Sequence, residues 1–182
     1  MRPVGPRPAG FAFGKAVGVA ACTGRPTLGG LLVELLEDPP ILYLNSGFTG
    51  LYGLLKDTRT RLPAEQALHD AVRMGVASQA WMGLLNTAIA GIQPGEDGEE
   101  PDWPTSDWQK SVLRSLLPRT YEGLSQPEGL RSAFEAKSPD AAAVLQSRAL
   151  LAINLRLKAG AALRRGLRGL AEADDQSEEV PA

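Results

Sequence analysis

The residues able to make or break bonds are few and scattered. The sequence holds one cysteine, Cys22, and one histidine, His69. A thiol nucleophile needs a base beside it, and nothing in the spacing brings these two together. Cys22 reads as a small buried apolar side chain. A lone cysteine forms no internal disulfide, which fits a reducing, cytoplasmic setting. One histidine and one cysteine also fall short of the ligand set of a single-chain zinc site. Asp70 follows His69 directly, but adjacent residues on a helix do not face each other. No G-x-S-x-G elbow, Walker loop or dinucleotide fingerprint is present. Carboxylates cluster twice, at Glu96, Asp97, Glu99, Glu100 and Asp102 and again at Glu172, Asp174, Asp175, Glu178 and Glu179. Catalytic carboxylates need a held geometry that such acidic runs do not offer. The expectation is a protein without catalytic site, metal or cofactor.

The cations say more. Across 182 residues the net charge is −2, with 19 basic and 21 acidic side chains. Setting the two acidic runs aside leaves 19 basic against 11 acidic residues, so the rest of the chain carries +8. From Ala141 to Ala171 there are six bases, Arg148, Arg156, Lys158, Arg164, Arg165 and Arg168, and no acid. Lys158 and Arg165 are seven apart and share one helix face, while Arg164 and Arg168 share another. A basic helix of this kind can follow a phosphate backbone, each contact releasing counterions. The bland alternative is an amphipathic helix whose basic flanks face water. Aromatics are too few there to suggest stacking on single-stranded bases.

These residues must be carried by helices. Leu and Ala abound while aromatics make up 5% of the chain, a balance suited to helices. The pattern predicts weak helices over residues 11–22, 28–38 and 41–57, the last with Gly47, Gly50 and Gly53 marking a close backbone approach. Pro63 opens a long helix to about Ile92. Its stretch from Met74 to Ile92 is uncharged and nearly long enough to span a bilayer. Ser78, Gln79, Asn86 and Thr87 argue instead for a helix buried in protein. Ser106 and Gln109 suggest a capping box for a helix ending near Leu117–Pro118, with Trp108, Val112, Leu113, Leu116 and Leu117 as its apolar side. Pro127 opens a short helix with Leu130 and Phe134. Ser138 and Pro139 start the last and best-specified helix, whose Leu150, Ile153, Leu157, Gly160, Leu163, Leu167 and Leu170 step by threes and fours. No strand pattern or repeat is apparent. The apolar run after Arg2 and Arg7 is broken by Lys15 and crowded by Pro3, Pro6 and Pro8, so it is not read as a secretory signal.

Two segments resemble a known family. Ile41-Leu42-Tyr43-Leu44-Asn45-Ser46-Gly47-Phe48-Thr49-Gly50-Leu51-Tyr52-Gly53-Leu54-Leu55 is similar to a helix of the small helical subunit of type III-B CRISPR effector (Cmr) complexes, with Gly47-Phe48 in the Gly-Leu place. Ser147-Arg148-Ala149-Leu150-Leu151 through Leu155-Arg156-Leu157-Lys158 resembles that family's closing arginine-rich helix. The resemblance covers these two segments, and the asparagine before the glycine is displaced by one position, to Asn45. It implies a non-catalytic subunit present in several copies, contacting a guide–target RNA duplex through its bases. Arg148, Arg156, Lys158, Arg164, Arg165 and Arg168 would then meet phosphates, with Lys56, Arg59 and Arg61 as a second patch. Base pairing would read sequence while the protein holds the backbone.

The expected architecture is therefore all-α, a helical bundle with short connections and a long C-terminal helix. Residues 1–26 are expected to be loosely ordered, 27–171 to form one helical domain with an acidic surface loop at 93–103, and 172–182 to be an acidic disordered tail. The expected partners are other subunits of a ribonucleoprotein, guide and target RNA and further copies of the chain, with no membrane. The alternative is a helical scaffold or adaptor of a phage or multiprotein assembly that binds protein through exposed leucine and glycine faces.

Overall fold

The computed structural model describes residues 18–22, 31–34, 40–45, 54–55, 62–96 and 99–178. From residue 62 onward the architecture is the expected all-α bundle. Its helices are α1 (Pro63–Ala90), α2 (Asp107–Thr120), α3 (Gln126–Glu135), α4 (Pro139–Arg156) and α5 (Ala159–Glu178). Helix α2 is the hub, packing against α1, α3 and α4. Its apolar face is the one read from sequence: Trp108, Val112, Leu113, Leu116 and Leu117 are all buried. They meet Trp81, Leu84, Leu85, Ala88 and Ile89 of α1, Leu130 and Ala133 of α3, and Leu145, Ala149 and Ile153 of α4. The uncharged half of α1 is thus core, and no helix among the described residues is long and apolar enough to cross a membrane.

Three strands correct the expectation of helices near the N-terminus. They are β1 (Gly18–Cys22), β2 (Leu31–Glu34) and β3 (Ile41–Asn45), in the order β1-β3-β2. β1 runs parallel to β3 with Gly18 opposite Ile41, and β2 runs antiparallel to it with Leu31 opposite Leu44. The strands are only four or five residues long, and Gly29-Gly30 and Pro39-Pro40 stand directly before β2 and β3. That length is ordinary for a strand and too short to nucleate a stable helix. The segment Ile41–Asn45, likened above to the start of a helix, is therefore extended, whereas Leu54 and Leu55 are helical.

The last helix also departs from expectation. It is not continuous from Ser138 but breaks at Leu157–Lys158, where Lys158 adopts a left-handed φ of 56°. A side chain in that region costs roughly 1 kcal/mol, which the redirection of α5 onto α1 must offset. Lys158 and Arg165 consequently share no continuous face. Beyond the break, α5 continues to Glu178, so the acids from Glu172 to Glu178, expected in a disordered tail, lie on helical backbone.

Local chemistry fixes the connections. The acidic loop is closed by paired backbone hydrogen bonds between Gln93 and Asp102, and Glu100 takes a 2.7 Å ion pair from Arg131. Lys137 donates to the carbonyls of Ile92 at 2.7 Å and Ala90 at 3.3 Å, capping the end of α1. Partial burial holds its amine below the usual lysine pKa. The expected capping box at Ser106 and Gln109 does not form. Ser106 makes no side-chain cap bond, and Gln109 instead donates to the Thr87 carbonyl at 3.3 Å. The box forms one helix later, with Ser125 and Glu128 bonding reciprocally at the start of α3.

The hydrogen bonds from the Ser125 hydroxyl and backbone N–H hold the Glu128 carboxyl below its ordinary pKa of 4.5. A carboxyl depressed in the folded state stabilises it above the unfolded pKa and loses that contribution as pH falls through the folded one. Ser125→Ala should lower the melting midpoint by a few degrees at neutral pH and flatten its decline below pH 4.5. Thermal melts across an acid series check this, and a parallel acid decline in both proteins would refute it.

Candidate functional site

The buried core stops short of one part of the bundle. It contains no residue of α5 and none of α1 before Ala77. Yet α5 makes its principal contact with α1. The first half of α1 and helix α5 therefore form a two-helix arm beside the core. The two run antiparallel: a Cβ at Gly166 would sit 3.3 Å from the Ala67 Cβ, and one at Gly169 3.0 Å from the Pro63 Cβ. Small residues at these positions let the backbones approach closely.

Two helices cannot hide an apolar face between them alone. Leu163 and Leu167, read from sequence as packing residues, are 65% and 58% exposed, and Leu68 across from them is 58% exposed. These three line a groove of about 590 Å³ together with Ala71, Met74 and Gly166. Its lining is almost wholly apolar, with Asp70 as the charged member. A second apolar strip runs along α4, where Val144, Leu151 and Leu155 are exposed.

Asp70 ties the arm together. Its carboxylate lies 3.5 Å from the Arg165 guanidinium and accepts from Gln66 at 3.0 Å. His69 Nδ1 is also 3.3 Å from Asp70 Oδ1. Sequence reasoning set these neighbours apart, but the Asp70 side chain swings far enough along the helix to meet the imidazole. Among the described residues no cluster of three His, Cys, Asp or Glu stands ready for a metal.

The six bases predicted on the last helix are all exposed but do not form one band. Arg156 lies 4.6 Å over the Trp81 ring and Arg148 lies 5.9 Å from the Tyr121 ring. Burial, and then the charge of Arg119, pull the Arg156 pKa below its ordinary value. Burial raises the Tyr121 phenol, against the lowering pull of Arg148. Arg119, Arg148 and Arg156 thus gather at the end of α2, and Arg119 was missed because only tertiary packing brings it there. Lys158 sits in the break. Arg164, Arg165 and Arg168 lie on the arm, where Arg165 engages Asp70. Among the described side chains, no carboxylate lies within ion-pair distance of Arg164 or Arg168. Lys56, Arg59 and Arg61 lie outside the described residues.

The chain is, in class, a small helical bundle extended by a two-helix arm that presents an apolar groove flanked by arginines. Compared with protein-family models, curated proteins and solved structures, it matches none of them.

Proposed function

We propose that the chain is a non-catalytic helical adaptor that docks protein in the α1–α5 groove. The supporting observation is the convergence of exposed Leu68, Leu163 and Leu167 on one apolar concavity. Contiguous exposed apolar surface on a small domain marks an interaction site more often than chance. Fully covering a leucine yields roughly 2 kcal/mol, so three leucines and the groove floor are enough to offset much of the cost of association. A photo-crosslinking amino acid at Leu167 should join the chain to protein in the cells that make it. The same probe at exposed Arg73 should not. Equal labelling at both positions, or none at Leu167, would defeat the docking role.

A second reading is carried by the exposed bases. Arg148, Arg156, Lys158, Arg164, Arg165 and Arg168 face solvent, and the likeness of the Ser147–Lys158 segment to the closing helix of type III-B small subunits adds support for contact with an RNA backbone. On this reading the protein binds duplex RNA with affinity falling steeply as salt rises. Arg164→Glu with Arg168→Glu then flattens the log–log salt slope by roughly 1.5. Salt-insensitive binding, or an unchanged slope, would remove RNA as a partner.

A further inference from the structure

Arginines and exposed leucines also meet away from the arm. Val144, Arg148, Leu151 and Leu155 follow one another along α4 in steps of four, three and four, so they share one helix face. All four are exposed. They span about 16 Å, or three turns. Arg148, Leu151 and Leu155 line a concavity of about 420 Å³ with Arg119 from the end of α2 and Tyr121 and Leu124 from the connection that follows. It shares no lining residue with the α1–α5 groove.

The cations here are held in place and uncompensated. Arg148 lies 5.9 Å over the Tyr121 ring, Arg156 lies 4.6 Å over the Trp81 ring, and Arg119 donates to the Ser115 carbonyl at 3.3 Å. A guanidinium resting on a ring keeps its edge N–H donors available to an oxyanion. Arg119 is near enough to Arg156 for its charge to lower the Arg156 pKa. Like charges gathered in this way repel until an anion joins them. Glu122 stands at the rim of the concavity and Glu135 acts on the Tyr121 phenol. Yet among the described side chains no carboxylate lies within ion-pair distance of Arg119, Arg148 or Arg156.

We propose that this face of α4 docks an acidic amphipathic helix of a partner protein, whose apolar side chains cover Leu151 and Leu155 and whose carboxylates meet Arg119 and Arg148. The uncompensated arginines set the sign of the partner, and the leucines set its class. A nucleic-acid backbone would satisfy the arginines, but its phosphates and sugars would leave Leu124, Leu151 and Leu155 in water. A helix with an apolar stripe at spacings of three and four and acids beside it answers both needs. The site is a second docking face, separate from the α1–α5 groove, and does not depend on what the Leu167 probe captures.

Fluorescence anisotropy tests this with the full chain and a labelled synthetic helix that carries leucines along one face and glutamates beside them. The expected result is saturable binding that weakens as salt rises. Arg119→Glu with Arg148→Glu should lower the affinity about tenfold or more, and Leu151→Ser with Leu155→Ser by a similar factor. Circular dichroism should stay unchanged, since all four residues are exposed. Arg164→Glu with Arg168→Glu, on α5, should leave binding as it was. A peptide of the same composition with its leucines scattered around the helix should bind at least about tenfold more weakly, and one with lysine for glutamate should not bind. Equal binding of the scattered or the lysine peptide would overturn the proposal. So would binding indifferent to the Arg119 and Arg148 changes. Duplex RNA bound through Arg119 and Arg148, with no binding of the peptide, would give the site to nucleic acid instead.

Discussion

Replacing Leu113 with alanine should remove about 3 kcal/mol of stability and lower Tm by roughly 10 °C. Leu113 is fully buried at the middle of α2, the helix that touches α1, α3 and α4. Deleting its isobutyl group costs the transfer of those carbons to water. The cavity left behind adds to this, because neighbours held by three separate helices cannot all move inward together. Leu85 and Leu116 are equally buried, so no flexible surface chain is available to refill the space. The informative contrast is Leu151→Ala on α4, whose side chain is exposed and whose loss should change stability by less than about 0.5 kcal/mol. Urea unfolding of the two variants measures both. If the Leu113 variant loses less than Leu151→Ala, α2 is not the centre of the bundle.

That contrast marks where the sequence was informative. Helix α2 was legible because its apolar residues recur at helical spacing and all of them point one way, toward a core that fully surrounds that face. The buried half of α1 was legible for a similar reason. Its polar residues Ser78, Gln79, Asn86 and Thr87 are spaced so that a helix can turn them from the core. The strands were not legible. Leu31–Glu34 and Ile41–Asn45 are short apolar runs, and periodicity cannot distinguish a buried strand from a helical turn. Their length and their flanking Gly29-Gly30 and Pro39-Pro40 were the usable signal.

The candidate site was legible in its residues and not in its environment. Leu163 and Leu167 continue the leucine pattern of α4, so on sequence alone they belong to one packed stripe. The break at Lys158 separates them from it. No Gly or Pro occupies that left-handed position, and the break follows from tertiary packing of α5 on α1. Once α5 is turned, the stripe that would have faced the core faces the groove instead. The same turn splits the six bases into a group stacked on Tyr121 and Trp81 and a group on the arm. Arg119 joins the first group through proximity alone, which no spacing along the chain encodes.

The arm can be separated from the core by two substitutions. Gly166→Leu with Gly169→Leu should open α5 from α1 while leaving the main unfolding transition within about 2 °C of its original midpoint. At Gly169 even the first added carbon would meet the Pro63 Cβ at 3.0 Å, and at Gly166 the Ala67 Cβ at 3.3 Å. The remaining carbons of each leucine must then go between the helices, at a cost of about 1–3 kcal/mol per site. Helix propensity acts in the opposite sense, since each replacement of glycine favours the helix by up to about 1 kcal/mol. Packing wins at the contact, so α5 stays helical but leaves α1. Gly160→Ala is the matching control, because a Cβ there meets nothing within 4 Å and only the propensity gain remains. Hydrogen exchange reads the difference directly. In the double variant, amides of residues 63–74 and 159–170 should lose about a hundredfold protection, while those of α2 keep theirs. The core is indifferent because it contains no residue of α5 and none of α1 before Ala77. Collapse of the main transition would mean that the arm is part of the core after all. Unchanged exchange in both segments would mean that α5 does not depend on α1 for its position. In either case the leucines of the groove would lose their explanation, since their exposure follows from α5 packing chiefly on α1, outside the buried core.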